Sequence, residues 1–222
     1  SFNKAMPEEI NRIMCDHVAT LLFSPTPTGY DNLLKEGFKE NTQAPYSADN
    51  PKIFHCGDVM YDNSLYFSTV AEEKTTVVSD NKLITGKYIL ATIHRNNNTD
   101  EPERLEALFS AMHKISQDNQ LQVIIPLHPR TAKLLKQNLT DSLFNQINSN
   151  ELIKIIPPVS FLEMIALEKN AQLIMTDSGG VQKEAFFFKK PCIILRPETE
   201  WVELVKCGSA IITDADENKI MD

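Results

Sequence analysis

Glycine is scarce: seven residues in 222, against twelve prolines, so the one adjacent pair, Gly179-Gly180, stands out on a glycine-poor background. With 42% hydrophobic and 23% charged residues the chain is neither collagen-like nor disordered, and it holds core material for one large α/β unit or two small ones. Cations are also few. The 22 Lys and Arg face 30 Asp and Glu, a formal net charge of −8 and a pI near 5.2, the wrong sign for a surface that neutralises phosphates. Nucleic acid is therefore not an expected partner. No apolar run approaches the roughly 18 to 20 residues that cross a bilayer, and no basic segment followed by an apolar core opens the chain. The chain reads as cytoplasmic, with no membrane partner. Cys15, Cys56, Cys192 and Cys207 are far apart, and without a C-x-x-C or a His-rich tract they do not suggest zinc. Each is expected to be a reduced, buried, small hydrophobe with no neighbour that depresses its thiol pKa.

From residue 84 onward, short β-branched runs alternate with longer segments of helical period. The runs cover residues 88–93, 122–127, 152–156, 172–176, 192–195 and 210–213. Residues 101–116 place Leu105, Leu108, Phe109, Met112 and Ile115 at helical spacing, and 160–169 do the same with Phe161, Met164, Ile165 and Leu167. Asp100 with Pro102 behind it, and Asp118-Asn119, supply start and stop signals for the first of these helices. The expected fold class is α/β, a parallel six-stranded sheet with helices on both faces. The first 56 residues differ. They predict a helix over 7–23, a turn at Ser24-Pro25-Thr26-Pro27, a helix over 30–36, a loop over 41–51 and a strand over 52–56. Ser1-Phe2-Asn3 lies just before a helix and residues 216–222 look like one barely begun, the appearance of an excised piece.

The sharpest chemical signal is Thr176-Asp177-Ser178-Gly179-Gly180-Val181-Gln182-Lys183-Glu184-Ala185, which follows a strand and opens a helix. Glycines there let a diphosphate approach N–H groups without intrahelical partners, at the positive end of a helix dipole. Glu184 could accept from both hydroxyls of a ribose. The alternative is an ordinary tight turn with Ser178 as N-cap. Two more strand ends carry a histidine with an arginine: His94-Arg95, and His128-Pro129-Arg130. Each reads as an anion contact at the carboxyl edge of the sheet or as a solvated loop. Glu8 and Glu9 sit at a helix N-terminus, stabilised by its dipole or, opposite a bound sugar, serving as acid or base.

Pro7-Glu8-Glu9-Ile10-Asn11-Arg12, Asp16-His17-Val18-Ala19, Phe23-Ser24-Pro25-Thr26, His94-Arg95, His128-Pro129 and Thr176-Asp177-Ser178-Gly179-Gly180-Val181-Gln182 together resemble the non-hydrolysing UDP-N-acetylglucosamine 2-epimerases. The motifs follow the family's order along nearly the whole chain. The resemblance implies a Rossmann-like half of a GT-B architecture, residues 57–222, preceded by a remnant of another Rossmann-like domain, residues 1–56. It also implies inversion at C2 of a UDP-N-acetylhexosamine through a 2-acetamidoglucal, without cofactor or metal, for surface polysaccharide synthesis. Its partners would be UDP, the UDP-sugar, a UDP-sugar effector, and a second copy in a homodimer.

Carried over by position, Glu8 and His94 are catalytic, Ser178, Gly179 and Gly180 cradle the diphosphate, Glu184 holds the ribose, and Val159 and Met164 contact uracil. Arg95 and His128 face the substrate or effector. In Thr199-Glu200-Trp201-Val202-Glu203 an indole replaces the family's substrate-facing arginine, with one N–H and a stacking face to offer. This departure leaves open UDP-2,3-diacetamido-glucuronic acid as the sugar, and the alternatives to an epimerase are a GT-B glycosyltransferase and a silent sugar-nucleotide sensor. The family's leading half, with a lysine, an aspartate and a glutamate of its site, would precede Ser1, and a closing helix would follow Asp222, so this chain alone is expected to be nearly inactive.

Overall fold

The structure, a computed structural model, describes residue 4 and residues 7–222; Ser1-Phe2-Asn3, noted above, lies outside them. Contacts divide the chain into two compact units, Ser1–Asn63 and Ser64–Asp222. The division falls inside a helix, past the expected boundary at Gly57.

In the first unit α1 (Pro7–Val18) leads to β1 (Leu21–Ser24), α2 (Pro27–Lys35) and β2 (Lys52–His55). The helix expected over 7–23 therefore ends at Val18. Leu21–Ser24 instead pairs in parallel with Lys52–His55, and its alternate residues Leu22 and Ser24 turn inward, a period of two that no helix supplies. Leu22, Leu33 and Ile53 form a small core under Tyr30 and Phe38. Thr26 caps α2 by accepting from the Gly29 N–H, with Pro27 in the first turn.

Arg12 holds α1 to the end of α2: its guanidinium meets Glu9 at 2.9 Å, Asp16 at 2.5 Å and Glu36 at 2.8 Å. The hydrogen bond from Arg12 lowers the Glu9 pKa, whereas partial burial outweighs Arg12 at Asp16 and raises that one.

The second unit follows α3 (Val59–Lys74) with α4 (Val77–Asp80), β3 (Tyr88–Thr92), α5 (Asn96–Thr99), α6 (Pro102–Asn119), β4 (Gln122–Pro126), α7 (Pro129–Asn138), α8 (Asp141–Ser149) and β5 (Ile153–Ile156). Then come α9 (Phe161–Asn170), β6 (Leu173–Thr176), α10 (Gly179–Phe187), β7 (Cys192–Ile194), α11 (Val202–Lys206), β8 (Ala210–Ile212) and α12 (Glu217–Met221). Among the described residues six strands form one all-parallel sheet in the order β5-β4-β3-β6-β7-β8.

Both faces are covered, as a parallel sheet requires. Successive residues of β3 point to opposite sides. Ile89 and Ala91 join Leu105, Phe109 and Met112 of α6, Leu135 of α7, Ile147 of α8 and Ile220 of α12. Tyr88 and Leu90 join Ala71 of α3, Ile165 and Leu167 of α9, Ala185 of α10 and Leu204 of α11. All five β3 residues are buried, which makes this strand the middle of the core.

Two local expectations need correction. Asp100 does not cap α6: Glu101 is at the cap position, and Asp100 binds Arg130 at 2.8 Å. Of the four free thiols only Cys192 is buried, and Cys15, Cys56 and Cys207 are exposed. Hydrogen bonding with Ser209 moves the Cys207 thiol below its ordinary value, so the expectation of unperturbed thiols fails there. Among the described residues no helix is long and apolar enough to cross a membrane.

Candidate functional site

The sheet changes direction between β3 and β6. The chain leaves β3 toward β4 and β5 on one side and leaves β6 toward β7 and β8 on the other, so the two carboxyl ends part and open a crevice. His94 and Arg95 stand on one lip, Asp177 to Gly180 on the other. Thr92 and Thr176, paired in register, join their hydroxyls at 2.6 Å beneath it.

One buried carboxylate ties the lips together. Asp177 accepts from the His94 amide at 3.0 Å, the Arg95 amide at 2.9 Å and Asn98 Nδ2 at 3.1 Å. Asn98 also donates to the Leu195 carbonyl at 2.9 Å, and its own Oδ1 accepts from Arg104, which pairs with Asp214. The His94 side chain is left exposed while its backbone is fixed; Arg95 is half-buried, and its charge helps lower the pKa of Glu200.

Ser178 occupies the cap position of α10, but its side chain makes no capping bond. The tight turn of the second alternative is there, but the capping hydrogen bond expected of it is not. The first N–H groups of α10 have no cap from Ser178, while that residue's own N–H is used on Thr176 Oγ1 at 2.9 Å. At Gly179 a Cβ would stand 3.4 Å from Glu200 Oε2 and 3.6 Å from Trp201 Nε1, ordinary van der Waals contact, so the side chains after β7 line the start of α10 closely.

The loop after β7 packs on this cradle. Buried Arg196 grips Glu200 with both arms, at 2.8 and 3.1 Å. Trp201 donates its indole N–H to the Gly179 carbonyl at 2.8 Å, and Lys183 Nζ lies 4.3 Å from the centre of its ring system. The N–H expected to face substrate is thus already spent on the cradle, and one ring face is under an ammonium. Nothing in the composition singled out Asp177, Asn98, Arg196 or Lys183, although Asp177 and Lys183 lie within the motif quoted above.

The remaining candidates are more dispersed. Val159 follows β5 and Met164 lies in the first turns of α9; both are half-buried against the cluster that includes Ile165 and Ala185. Ser160 and Glu163 form a reciprocal capping box that starts α9 there. Glu184 is half-buried, and burial raises its pKa above the ordinary carboxylate value. His128 is the cap residue of α7, its ring accepting weakly from the Arg130 amide at 3.4 Å. Arg130 is bound to Asp100 and Asn96, so this third strand end does not present the free cation the sequence suggested.

In the first unit the two adjacent glutamates separate. Glu9 is 6% exposed and held by Arg12, while Glu8 is exposed. No group of three or more His, Cys, Asp or Glu among the described residues is arranged to hold a metal ion.

The family model described as UDP-N-acetylglucosamine 2-epimerase matches residues 1–222. The chain belongs to this family. A UDP-N-acetylglucosamine 2-epimerase homolog of Methanococcus maripaludis is 44% identical over all of this chain and 57% of its own length. The UDP-2,3-diacetamido-2,3-dideoxy-D-glucuronate 2-epimerase of Pseudomonas aeruginosa is 42% identical, covered over 100% and 56%. Among solved structures, the Methanocaldococcus jannaschii UDP-GlcNAc 2-epimerase in complex with UDP-GlcNAc and UDP superposes with a TM-score of 0.82 at 40% identity, over 100% of this chain and 57% of that one. The chain thus spans a little over half the length of the relatives it matches. Its second unit is a Rossmann-like sheet of the kind found in GT-B-like epimerases.

Proposed function

We propose that this chain carries the UDP-binding half, residues 57–222, of an epimerase that interconverts UDP-N-acetylglucosamine and UDP-N-acetylmannosamine. The carrying observation is the crevice between β3 and β6, where Asp177 holds the His94 loop beside the uncapped N-terminus of α10. The main-chain N–H groups of Gly179 and Gly180, with the Ser178 hydroxyl that does not cap α10, take the diphosphate, Glu184 the ribose hydroxyls, and Val159 and Met164 the uracil. Glu8, the glutamate not committed to Arg12, is the carboxylate for acid–base work, and His94 lies by the sugar and phosphate.

In the proposed reaction the C2–H bond breaks first, a base taking the proton while the electron pair forms the C1–C2 double bond and the C1–O bond to UDP breaks. UDP then adds back to the glucal as a proton reaches the opposite face of C2. The stabilised leaving diphosphate is where a helix N-terminus contributes most. Arg95 and His128 are candidates for contact with a second UDP-sugar acting as effector. The enzyme would work as a cytoplasmic homodimer supplying activated sugar for surface polysaccharide.

A second sugar is favoured by the similarity to the Pseudomonas aeruginosa enzyme together with Trp201 in place of arginine: UDP-2,3-diacetamido-glucuronate. One experiment separates the readings. The full-length protein is incubated in D2O with each UDP-sugar in turn. Deuterium at C2 of UDP-N-acetylglucosamine is expected. Exchange only with the diacetamido sugar transfers the assignment to it. An undeuterated C2 with a glycosylated acceptor makes the protein a glycosyltransferase, and no turnover of any kind leaves a sensor.

A further inference from the structure

Glu168 has no place in the chemistry above, yet its setting is unusual for a glutamate. It lies on α9 with no measurable exposure, on the side of the sheet where Tyr88 and Cys192 pack with Ile165 and Leu167. Neither of its carboxyl oxygens meets a hydrogen-bond donor among the described residues. The group within its hydrogen-bonding reach is another carboxyl, that of Glu184, across the α9–α10 contact. Two carboxylates repel, and an uncompensated buried one is strongly unfavourable, whereas an acid and a carboxylate share a proton through a strong hydrogen bond.

We propose that Glu168 is a positioning residue for Glu184: as the acid of an acid–carboxylate pair, it donates its proton to one Glu184 oxygen and turns the remaining lone pairs toward the ribose hydroxyls. This rests on the reading of Glu184 as the ribose acceptor.

The surroundings decide which partner keeps the proton. Burial, then the charge of Glu184, carries Glu168 well above its ordinary value, while Glu184 is half-exposed and feels the Lys183 ammonium. The other titratable groups near Glu168 are Tyr88 of β3, shifted up beyond its ordinary value, and Cys192 of β7, pushed up to about 12, so both are neutral at physiological pH. Asp80 of α4 acts on Glu163 instead. The pair thus carries one negative charge across the neutral range, gains a second proton in acid and loses the shared one in alkali. The singly charged form is the one that binds.

The test uses the full-length protein, infrared spectroscopy and UDP titration across pH, with Glu168→Gln and Glu168→Met. At neutral pH the wild type should show the carbonyl band of a protonated carboxylic acid, and Glu168→Gln should lose it. The glutamine amide donates where the acid did, so UDP affinity should stay within about threefold at neutral pH and its alkaline decline should vanish; methionine fills the space without a donor and should weaken UDP about tenfold. The ratio of wild-type to variant affinity at each pH cancels the ionisation of UDP itself. A band that persists in Glu168→Gln, or equal UDP binding by the two variants, overturns the proposal. Wild-type protein that binds no UDP at any pH overturns the nucleotide reading and the ribose half of this proposal, while a band lost on substitution still upholds the shared proton.

Discussion

Three N–H donors converge on the Asp177 carboxylate, and two of them are main-chain amides of the His94 loop. Asp177→Ala would leave all three without their acceptor in a fully buried place, at a cost of about 3 kcal/mol in urea denaturation. Asp177→Asn keeps one acceptor oxygen and should cost less. Equal midpoints for wild type and Asp177→Ala would contradict the described network. Trp201 gives a second case. Trp201→Phe keeps a ring over Lys183 but loses the bond to the Gly179 carbonyl, so UDP binding should weaken by about 1 kcal/mol, roughly fivefold. Trp201→Leu also removes the cation–π contact and should weaken titrated UDP binding further. Neither role was legible beforehand. Asp177 stood inside a motif whose glycines drew attention, and its partners lie some 80 residues away in sequence, beyond any local pattern; for Trp201 the sequence offered a donor but not its acceptor.

Among the elements, the six strands of the sheet were read within a residue of their observed ends because each is a short apolar run, and α9 likewise because its apolar residues recur at helical spacing; the same spacing revealed α6, which runs three residues past the expected 116 to Asn119. The failure at 7–23 has a physical cause. Leu21, Leu22 and Phe23 extend an apolar pattern that suits either periodicity, and only pairing with Lys52–His55 decides for strand. The α9 start is more local and supports a prediction of its own. Ser160 Oγ accepts from the Glu163 amide at 3.4 Å, and Glu163 returns an acceptor to the Ser160 amide at 2.7 Å. Ser160→Ala should cost about 1 kcal/mol. The pKa of Glu163 is depressed, with the Ser160 hydrogen bonds as its largest causes. Its contribution is therefore complete above the unfolded value near 4.3 and is lost as pH falls through the folded value. Stability measured for wild type and Ser160→Ala should converge in acid; a gap that is constant with pH would exclude the reciprocal box.

At the scale of the whole second unit, strand order was what the sequence could not state. Alternation of strand and helix implied a parallel sheet, but a reversal between β3 and β6 depends on which side each crossover takes, and this is a matter of global packing. The reversal creates the crevice, and a chain of polar contacts reaches from it to the far edge of the sheet: Asp177 to Asn98, Asn98 to Arg104, Arg104 to Asp214 beyond β8. Asp214 adopts a left-handed φ of 55°, a conformation that aspartate tolerates better than most side chains. Hydrogen bonding to Arg104 depresses its pKa. A depressed carboxylate stabilises the fold above its unfolded pKa of about 3.9, and that stability disappears as pH falls through the folded value. Arg104→Met should therefore lower stability by about 2 kcal/mol at neutral pH and flatten the acid limb of the stability curve. It should also reduce UDP affinity, because Asn98 loses the partner that orients it toward Asp177. Loss of stability without any change in UDP binding would confine Arg104 to the α6–β8 side of the sheet and separate that edge from the crevice.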